Sequence, residues 1–388
     1  MKGDIQNRNL AGKIFAISVY FMAFVLPVSI AASQFAAGLV ILLGIWLFVS
    51  RADAGGINRI AGFAIAAYLA TLVISSLLSP DLIAAWRQLG KSWVLLCILP
   101  LSVFAAAYDS KRIFQLLVFG TSLASLIGIY RCLIEGAARA APYSGGFTTL
   151  ALFEAAALPF AVVYISREKG ALRIWNLVCL IVITVGLIMS QTRAGWVGAL
   201  IATMVIGVTM NWKVTVVCIA SFLLLVLAIP QSRNLVMNRF VAGDAGAFTS
   251  GRNLLWRDAL SRIPELPLFG HGPGSFKRVV KTEILDQIGD KGVASWHSSI
   301  FDPLIESGPM ALLSLLIIMI ISLYNSWIRY YRSGRRLEYL AILSSLLALY
   351  LAGLSTNLFR DFMIMGLLAI LWASVFDLQE KHSNLKYN

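Results

Sequence analysis

The chain has 388 residues, of which 59% are apolar and 13% are charged. Soluble domains carry about 25% charged residues, so this composition excludes an ordinary soluble protein and indicates a polytopic membrane protein. The formal net charge is +13, but the basic residues lie in short connections between apolar runs, so nucleic acid is not an expected partner. The four cysteines lie within or beside apolar segments without CxxC spacing, which favours neither a disulfide framework nor a zinc site.

Apolar runs bounded by charged residues predict an all-α polytopic membrane protein with about twelve transmembrane helices. In chain order the predicted spans are 13–31, 33–50, 57–78, 91–108, 112–134, 147–165, 172–190, 194–211, 213–230, 303–327, 337–355 and 361–377. The chain then divides into residues 1–230 with nine helices, residues 231–299 as one long loop, and residues 300–388 with three helices and a tail. A loop of this length is expected to contain short helices.

The basic residues between the spans predict how the protein is oriented. Seventeen lysines and arginines lie in the tails and connections of one face, against six in the short connections of the other. Because cytoplasmic loops carry the excess of basic residues, both termini are expected in the cytoplasm and the long loop outside. The polar residues 1–9 are expected to precede a first span that is retained rather than cleaved.

The long loop differs in composition from the rest of the chain. It contains three prolines, two of the three histidines and the glycine-rich run 270-GHGPGSF-276, and functional residues concentrate in such loops. A helix is predicted from about residue 251 to 263, with Ser250 as its N-cap. Arg252 shares the apolar face of this helix with Trp256. The guanidinium group either binds an anion or extends to solvent or lipid headgroups.

Two charged residues lie next to or inside apolar runs. Arg193, within 190-SQTRAGW-196, has only Gln191 and Thr192 as polar neighbours in the sequence. It is either an interfacial anchor or a functional cation, because an unpaired charge near the hydrocarbon is unfavourable. Glu154 lies one or two turns inside the predicted span 147–165. It is expected to form a salt bridge with Arg193 or Arg252, or to take part in the chemistry.

A third group of candidates lies where the long loop re-enters the membrane, in 296-WHSSIFDPLIESGP-309. The imidazole of His297 is suited to accept and release a proton near neutral pH, although a loop histidine is also often a hydrogen-bonded surface residue. Asp302 and Glu306 follow on the next turns, and their roles stay open. His271, in the glycine-rich run, is expected to serve its turn.

Several familiar catalytic motifs are absent from the sequence. It contains no DxD, HExxH, GxxxxGK[ST] or GxSxG motif, which argues against a metal-held nucleotide sugar, a P-loop nucleotide or an acyl-serine mechanism. If phosphate chemistry occurs, arginines must replace the metal ion. Arginine suits this role because its planar fork donates two hydrogen bonds to a phosphate and keeps its charge. Neither a metal nor another cofactor is expected.

The order of these motifs resembles that of the O-antigen ligase and polymerase superfamily of bacterial envelopes. The resemblance rests on SQTRAGW, then GRNLLWRDAL, PLFGHGPGSF and WHSSIFDPLIESGP on one long external loop. The upstream stretch 145-GGFTTLALFEAAALP-159 is similar to the segment that precedes these motifs in the family. Thr148 and Thr149 stand there in place of the asparagine of many members.

The resemblance implies an inverting, metal-independent glycosyltransferase of the bacterial inner membrane. An O-antigen ligase transfers O-antigen polysaccharide from undecaprenyl diphosphate to a sugar hydroxyl of lipid A-core on the periplasmic face. By this resemblance Arg193 and Arg252 clamp the diphosphate, and His297 activates the acceptor hydroxyl. Further candidates for substrate binding are Trp256, Gly272, Gly274 and Glu154.

Two other functions remain open at this point. An O-antigen polymerase uses the same lipid-linked donor with a second lipid-linked repeat as acceptor. A secondary transporter of a lipid-linked or anionic substrate belongs to a different class, but transporters place polar residues near the bilayer midplane and often contain internal repeats. Here the candidates lie at the outer boundary, and no repeat is evident. Asp361, beside Arg360 at the start of the last span, is expected to pair with it locally.

Overall fold

The computed structural model describes residues 2–50, 54–210, 212–228, 233–234, 251–288 and 293–377. Within these ranges the chain forms helices and no β-strand, apart from an isolated bridge between Ile57 and Asp377. The all-α class predicted from the sequence is therefore confirmed for the part of the chain that is described.

The helices follow the apolar runs of the sequence. In chain order they are α1 Lys2–Val25, α2 Ile30–Val49, α3 Arg59–Leu77, α4 Leu82–Ser92, α5 Ile98–Val103, α6 Ser110–Leu133, α7 Phe147–Arg167, α8 Gly170–Ser190, α9 Arg193–Met210, α10 Trp212–Ala228, α11 Arg252–Arg262, α12 Phe276–Val279, α13 Thr282–Ile288, α14 Phe301–Arg332, α15 Leu337–Gly353 and α16 Phe362–Phe376. Short 3-10 turns follow α4 and α11 and precede α16.

Eight helical segments in the described ranges are long and apolar enough to cross a membrane. Three shorter apolar helices, Leu10–Val25, Leu337–Gly353 and Phe362–Phe376, match further predicted spans. The multi-pass membrane class is thus confirmed, whereas the count of twelve spans stays a prediction. One boundary differs clearly, because the segment predicted as 91–108 runs from Leu82 to Val103. Its first part, α4, contains Arg87 and Lys91 among apolar residues. Because charged residues were used as the boundaries of predicted spans, the predicted span began too late.

The predicted loop helix is present as α11. It begins at Arg252, directly after Gly251, whose φ of 77° lies in the left-handed region. Ser250, the expected N-cap, lies outside the described residues. A 3-10 turn from Ile263 to Glu265 follows the helix, as expected where a proline removes a backbone donor.

Helix α7 is the centre of the bundle. It packs against α6, α8, α9 and α15, and all but one of its residues 149–164 are buried. Small residues permit this close packing. A Cβ atom on Gly195 of α9 would lie 2.7 Å from Cβ of Ala151 on α7, and one on Gly198 would lie 2.9 Å from the Ala348 carbonyl oxygen of α15.

These contacts bring several chain ends to one end of the bundle. Arg193 lies five residues before Gly198, and Gly353 lies five residues after Ala348 in the antiparallel α15. Five residues of helix span about 7.5 Å, so Arg193 and Gly353 lie at the same level. The Gly353 carbonyl accepts the Ser299 backbone N–H at 2.8 Å, which joins the long loop here. We call this the site end of the bundle.

Ion pairs hold the opposite end of the bundle. The Lys111 ammonium lies 2.5 Å from the Glu168 carboxylate, and the Arg329 guanidinium lies 3.3 Å from that of Asp377. Arg167 pairs with Glu338 there as well. These contacts join the ends of α6, α7, α14, α15 and α16 without using any candidate site residue.

The described part of the long loop has an apolar core of its own. Leu255 and Ala259 of α11 pack with Phe276 of α12, with Trp296 of the loop and with Ile305 of α14. This cluster fixes the loop on the first turns of α14, and therefore on the site end.

Candidate functional site

His297 lies in a tightly held turn between the long loop and α14. Its φ is 51°, in the left-handed region that non-glycine residues rarely adopt. Its backbone N–H donates to Oγ of Ser295 at 3.1 Å. The Asp302 carboxylate accepts the backbone N–H groups of Trp296 and Ser298, each at 3.1 Å. The residues on both sides of the histidine are therefore fixed.

The buried side chain of Trp296 anchors this turn to the rest of the loop. Its ring packs edge-on against Phe276, with 4.8 Å between centroids. Its indole N–H donates to the Asp258 carboxylate at 3.4 Å. The Trp296 carbonyl in turn accepts the indole N–H of Trp256 at 3.0 Å. Trp256, a predicted substrate-binding residue, is thus in contact with the residue directly before His297.

The positive charges of two arginines act on the imidazole of His297. Burial, together with the guanidinium groups of Arg252 and Arg360, lowers the pKa of His297 from its usual 6.5 to about 4. The structure therefore brings Arg252 and His297 together, and the roles that the resemblance implies for them stay predictions. At neutral pH the imidazole is uncharged, which is the form that accepts a proton.

Arg193 begins α9 at the site end and is partly buried. The turn before it is fixed by the loop between α6 and α7. Gln191, with a left-handed φ of 52°, accepts a hydrogen bond from Arg139 on its carbonyl at 2.7 Å. The Gln191 side chain donates to the Ala138 carbonyl at 3.2 Å. Arg193 and the His297 turn thus lie at the same end of the bundle, joined through α15.

The site also contains a cation that sequence reasoning missed. The Arg360 guanidinium lies 2.5 Å from the Glu306 carboxylate of α14 and donates to the Ala294 carbonyl, three residues before His297. The expected local pair between Arg360 and Asp361 is wrong, because Asp361 caps α16 instead, accepting the Met363 N–H at 2.9 Å. The sequence did contain an indication of this pair, because a carboxylate inside an apolar helix, such as that of Glu306, is usually paired with a cation.

A cavity lined by both polar and apolar residues lies beside this ion pair. Among its lining residues are Gln88, Ser92, Asp302, Asn357 and Arg360. Asp302 and Arg360 connect this lining to the His297 turn.

Glu154 does not form the predicted salt bridge. Its side chain on α7 is fully buried, and one carboxylate oxygen accepts a hydrogen bond from the hydroxyl group of Ser125 on α6 at 2.8 Å. The other oxygen has no hydrogen-bond partner among the described residues. The reason is helix packing: α8 comes so close at Gly186 that a Cβ there would lie 2.3 Å from the carboxylate. A contact with substrate stays a prediction for this residue.

The glycine-rich run packs on a kink in α14. Gly308 has a non-helical φ of 85°, and Pro309 has no N–H to donate to the Ile305 carbonyl. The backbone N–H of His271 donates to the Ile305 carbonyl instead, at 3.0 Å. The N–H of Gly272 donates to the Glu306 carbonyl at 2.8 Å. His271 thus serves the turn through its backbone.

Gly272 and Gly274 approach the neighbouring elements closely. A Cβ on Gly272 would lie 2.1 Å from Oγ of Ser79, and one on Gly274 would lie 3.1 Å from the Ala84 carbonyl oxygen. The structure therefore gives both glycines a packing position between α3, α4 and α14. Their predicted substrate contacts stay predictions.

The described residues contain no cluster of three or more histidine, cysteine, aspartate or glutamate side chains arranged to hold a metal ion. The charged groups around His297 are instead arginines and two buried carboxylates.

The family model described as O-antigen ligase matches residues 177–316. The matched segment runs from α8 into α14 and includes Arg193, Arg252 and His297. Arg360 lies outside it. No curated protein matches the chain.

Proposed function

We propose that this protein is an O-antigen ligase of the bacterial inner membrane, because residues 177–316 match the family model of O-antigen ligases. It moves O-antigen polysaccharide from undecaprenyl diphosphate to lipid A-core on the periplasmic face, without a metal ion or other cofactor. The observation that carries the proposal is the placement of His297 within the electrostatic reach of Arg252, inside the matched segment and at the membrane end of the long loop.

Arg193 and Arg252 bind the diphosphate of the donor. Negative charge grows on this group as the bond to the sugar breaks, and preorganised donors are most valuable where charge develops. By analogy with oxyanion holes, each arginine supplies about 2.7–4 kcal/mol, so that its loss slows transfer about a hundredfold or more. The polyprenyl tail extends into the bilayer from the site end.

His297 is the base. Its uncharged imidazole takes the proton of the acceptor hydroxyl while that oxygen attacks the anomeric carbon from the face opposite the diphosphate. The bond from the anomeric carbon to the diphosphate oxygen breaks, the electron pair leaves with the diphosphate, and the configuration inverts. A positioned base of this kind contributes about 10²- to 10⁴-fold. The bound diphosphate also offsets the positive field of Arg252, which makes the imidazole a stronger base when the donor is present.

Transfer in vitro tests the proposal, with purified protein, lipid-linked polysaccharide and lipid A-core. Arg193→Ala, Arg252→Ala and His297→Ala are each expected to insert normally and lose transfer about a hundredfold or more. Arg257→Ala is the matched control, because Arg257 is an exposed arginine of the same helix as Arg252. Any of the three variants with wild-type transfer at equal protein level contradicts the role proposed for its residue.

The same proteins test the absence of a metal requirement. Transfer is expected to continue in EDTA, since the arginines supply the charge that a metal ion would supply. Loss of activity in EDTA that Mg²⁺ specifically restores contradicts this part of the proposal.

A deletion strain separates a ligase from an O-antigen polymerase, which uses the same donor. Loss of a ligase leaves lipopolysaccharide without O-antigen while lipid-linked polymer accumulates. Loss of a polymerase leaves core capped with a single repeat unit, and this result refutes the ligase function.

A further inference from the structure

The proposed base occupies an unfavourable backbone conformation. His297 is one of three non-glycine residues with a left-handed φ in the described ranges. Such conformations persist only where surrounding contacts impose them, and they concentrate at functional sites. Oγ of Ser295 accepts the N–H of His297 itself, and a single carboxylate holds the residues on both sides of it.

That carboxylate belongs to Asp302, in the first turn of α14. Its two oxygens each accept one backbone N–H, from Trp296 at 3.1 Å and from Ser298 at 3.1 Å. These two residues flank His297 directly. The Asp302 N–H donates back to the Ser298 carbonyl at 3.0 Å, so the turn and the first residues of α14 hold each other in place. The residue is only 2% exposed.

A neighbouring cation interacts with this carboxylate. Arg360 stabilises the negative charge of Asp302 electrostatically and forms an ion pair with Glu306, one turn further along the same helix. Hydrogen bonds from N–H groups to a carboxylate are stronger than those to a neutral acceptor.

We propose that Asp302 is a positioning residue for His297, holding the turn 296–298 so that the imidazole is aimed at the acceptor hydroxyl. Asp302 acts through its hydrogen bonds to the backbone of this turn and not on the reacting groups. The inference rests on the proposed function, in which His297 is the base.

Asp302→Asn is the informative substitution. An amide offers one oxygen and turns its NH₂ group towards the second backbone N–H, so that one of the two hydrogen bonds is lost. Displacement of a catalytic group by about 1 Å lowers the rate roughly a hundredfold. We therefore expect kcat to fall about a hundredfold, with the donor KM unchanged because Arg193 and Arg252 keep their places.

A double-mutant cycle with His297→Ala separates positioning from a general structural role. If Asp302 acts through the histidine, Asp302→Asn changes the residual rate of the His297→Ala protein by less than about twofold. The same hundredfold loss in both backgrounds overturns the proposal. Wild-type transfer by His297→Ala overturns it together with the base that it serves.

The matched control is Asp258→Asn. Asp258 is also buried in the loop cluster, but its carboxylate accepts the indole N–H of Trp296 rather than the backbone beside His297. We expect this variant to lose stability while kcat stays within about threefold of wild type. An equal loss of kcat in both asparagine variants overturns the proposal.

Amide hydrogen exchange provides a readout that does not depend on activity. In the full-length protein in detergent, Asp302→Asn is expected to accelerate exchange at Trp296 or Ser298 at least tenfold, with exchange within α7 unchanged. Unchanged exchange at both amides overturns the positioning role, even if no acceptor tested supports transfer. If the wild type transfers to no acceptor while the exchange effect is present, the failure lies with the proposed function alone.

Discussion

At the scale of single residues, His297 acquires its chemical character from its surroundings. The sequence offers only a loop histidine, for which a surface role is equally reasonable. In the structure burial comes first among the causes that lower its pKa, followed by Arg252 and Arg360. The two arginines could not be assigned to His297 from the sequence around it, because Arg252 lies 45 positions earlier and Arg360 lies 63 positions later.

The protonation of His297 is open to direct measurement. Diethyl pyrocarbonate reacts with unprotonated imidazole, and the fraction of that form falls as pH falls through the pKa. In a protein with His271 and His382 replaced by glutamine, we expect the reaction to be half-maximal near pH 4 rather than near 6.5. Arg252→Gln removes a charge that disfavours the imidazolium, so the midpoint should rise, whereas Arg257→Gln should leave it unchanged. A wild-type midpoint near 6.5 contradicts the structure.

The pair of Glu306 and Arg360 makes a second prediction at this scale. Both side chains are largely buried, at 6% and 18% exposure. Arg360→Gln leaves a buried carboxylate without its cation, which costs about 3–5 kcal/mol. The double variant Arg360→Gln with Glu306→Gln should regain most of this stability, since neither residue then carries a charge. Thermal unfolding in detergent measures both. Equal destabilisation by the single and double variants refutes the pairing.

At the scale of elements, the helices were predictable and their contacts were not. Predicted spans such as 33–50 and 172–190 fall within three residues of α2 and α8, because the hydrophobic requirement of the bilayer acts on each segment separately. The partners of buried polar groups depend on how helices pack. Glu154 accepts a hydrogen bond from Ser125 instead of pairing with an arginine. Thr149 donates a hydrogen bond to Asp361, which lies 212 residues away in the sequence.

The docking of the glycine-rich run on α14 gives an element-scale prediction. Gly272 has a φ of 94°, and a Cβ there would lie 2.1 Å from Oγ and 2.4 Å from Cβ of Ser79. Strain of about 1–3 kcal/mol and overpacking of about 1–3 kcal/mol should together make Gly272→Ala unfold at a clearly lower temperature.

Gly90→Ala is the control for this substitution. Gly90 lies in α4 with no heavy atom within 4 Å of its ideal Cβ. Alanine is a better helix former than glycine by about 0.5–1 kcal/mol, so this variant should be as stable as wild type or slightly more stable. Equal melting temperatures for the two alanine variants contradict the close contact between the run and the end of α3.

At the scale of the whole molecule, the two ends of the bundle differ in how their charges are used. The opposite end pairs its charges with one another, as in Lys111 with Glu168 and Arg329 with Asp377. At the site end, Arg252 and Arg360 act electrostatically on a histidine, and Arg360 pairs with the buried carboxylate of Glu306. The excess of basic residues in the sequence predicts which face is cytoplasmic, but only the folded arrangement separates orienting cations from those beside His297.

Orientation in the membrane is the prediction that belongs to this scale. Tyr143 is 68% exposed in the loop before α7, at the site end, and Arg332 is an exposed residue at the opposite end of α14. With the native cysteines replaced by alanine, Tyr143→Cys should react with a membrane-impermeant maleimide in intact cells, because the proposed transfer to lipid A-core requires a site that faces the periplasm. Arg332→Cys should react only after the inner membrane is lysed, which also serves as the control for thiol accessibility. The reverse pattern would place the His297 turn in the cytoplasm and exclude the proposed acceptor.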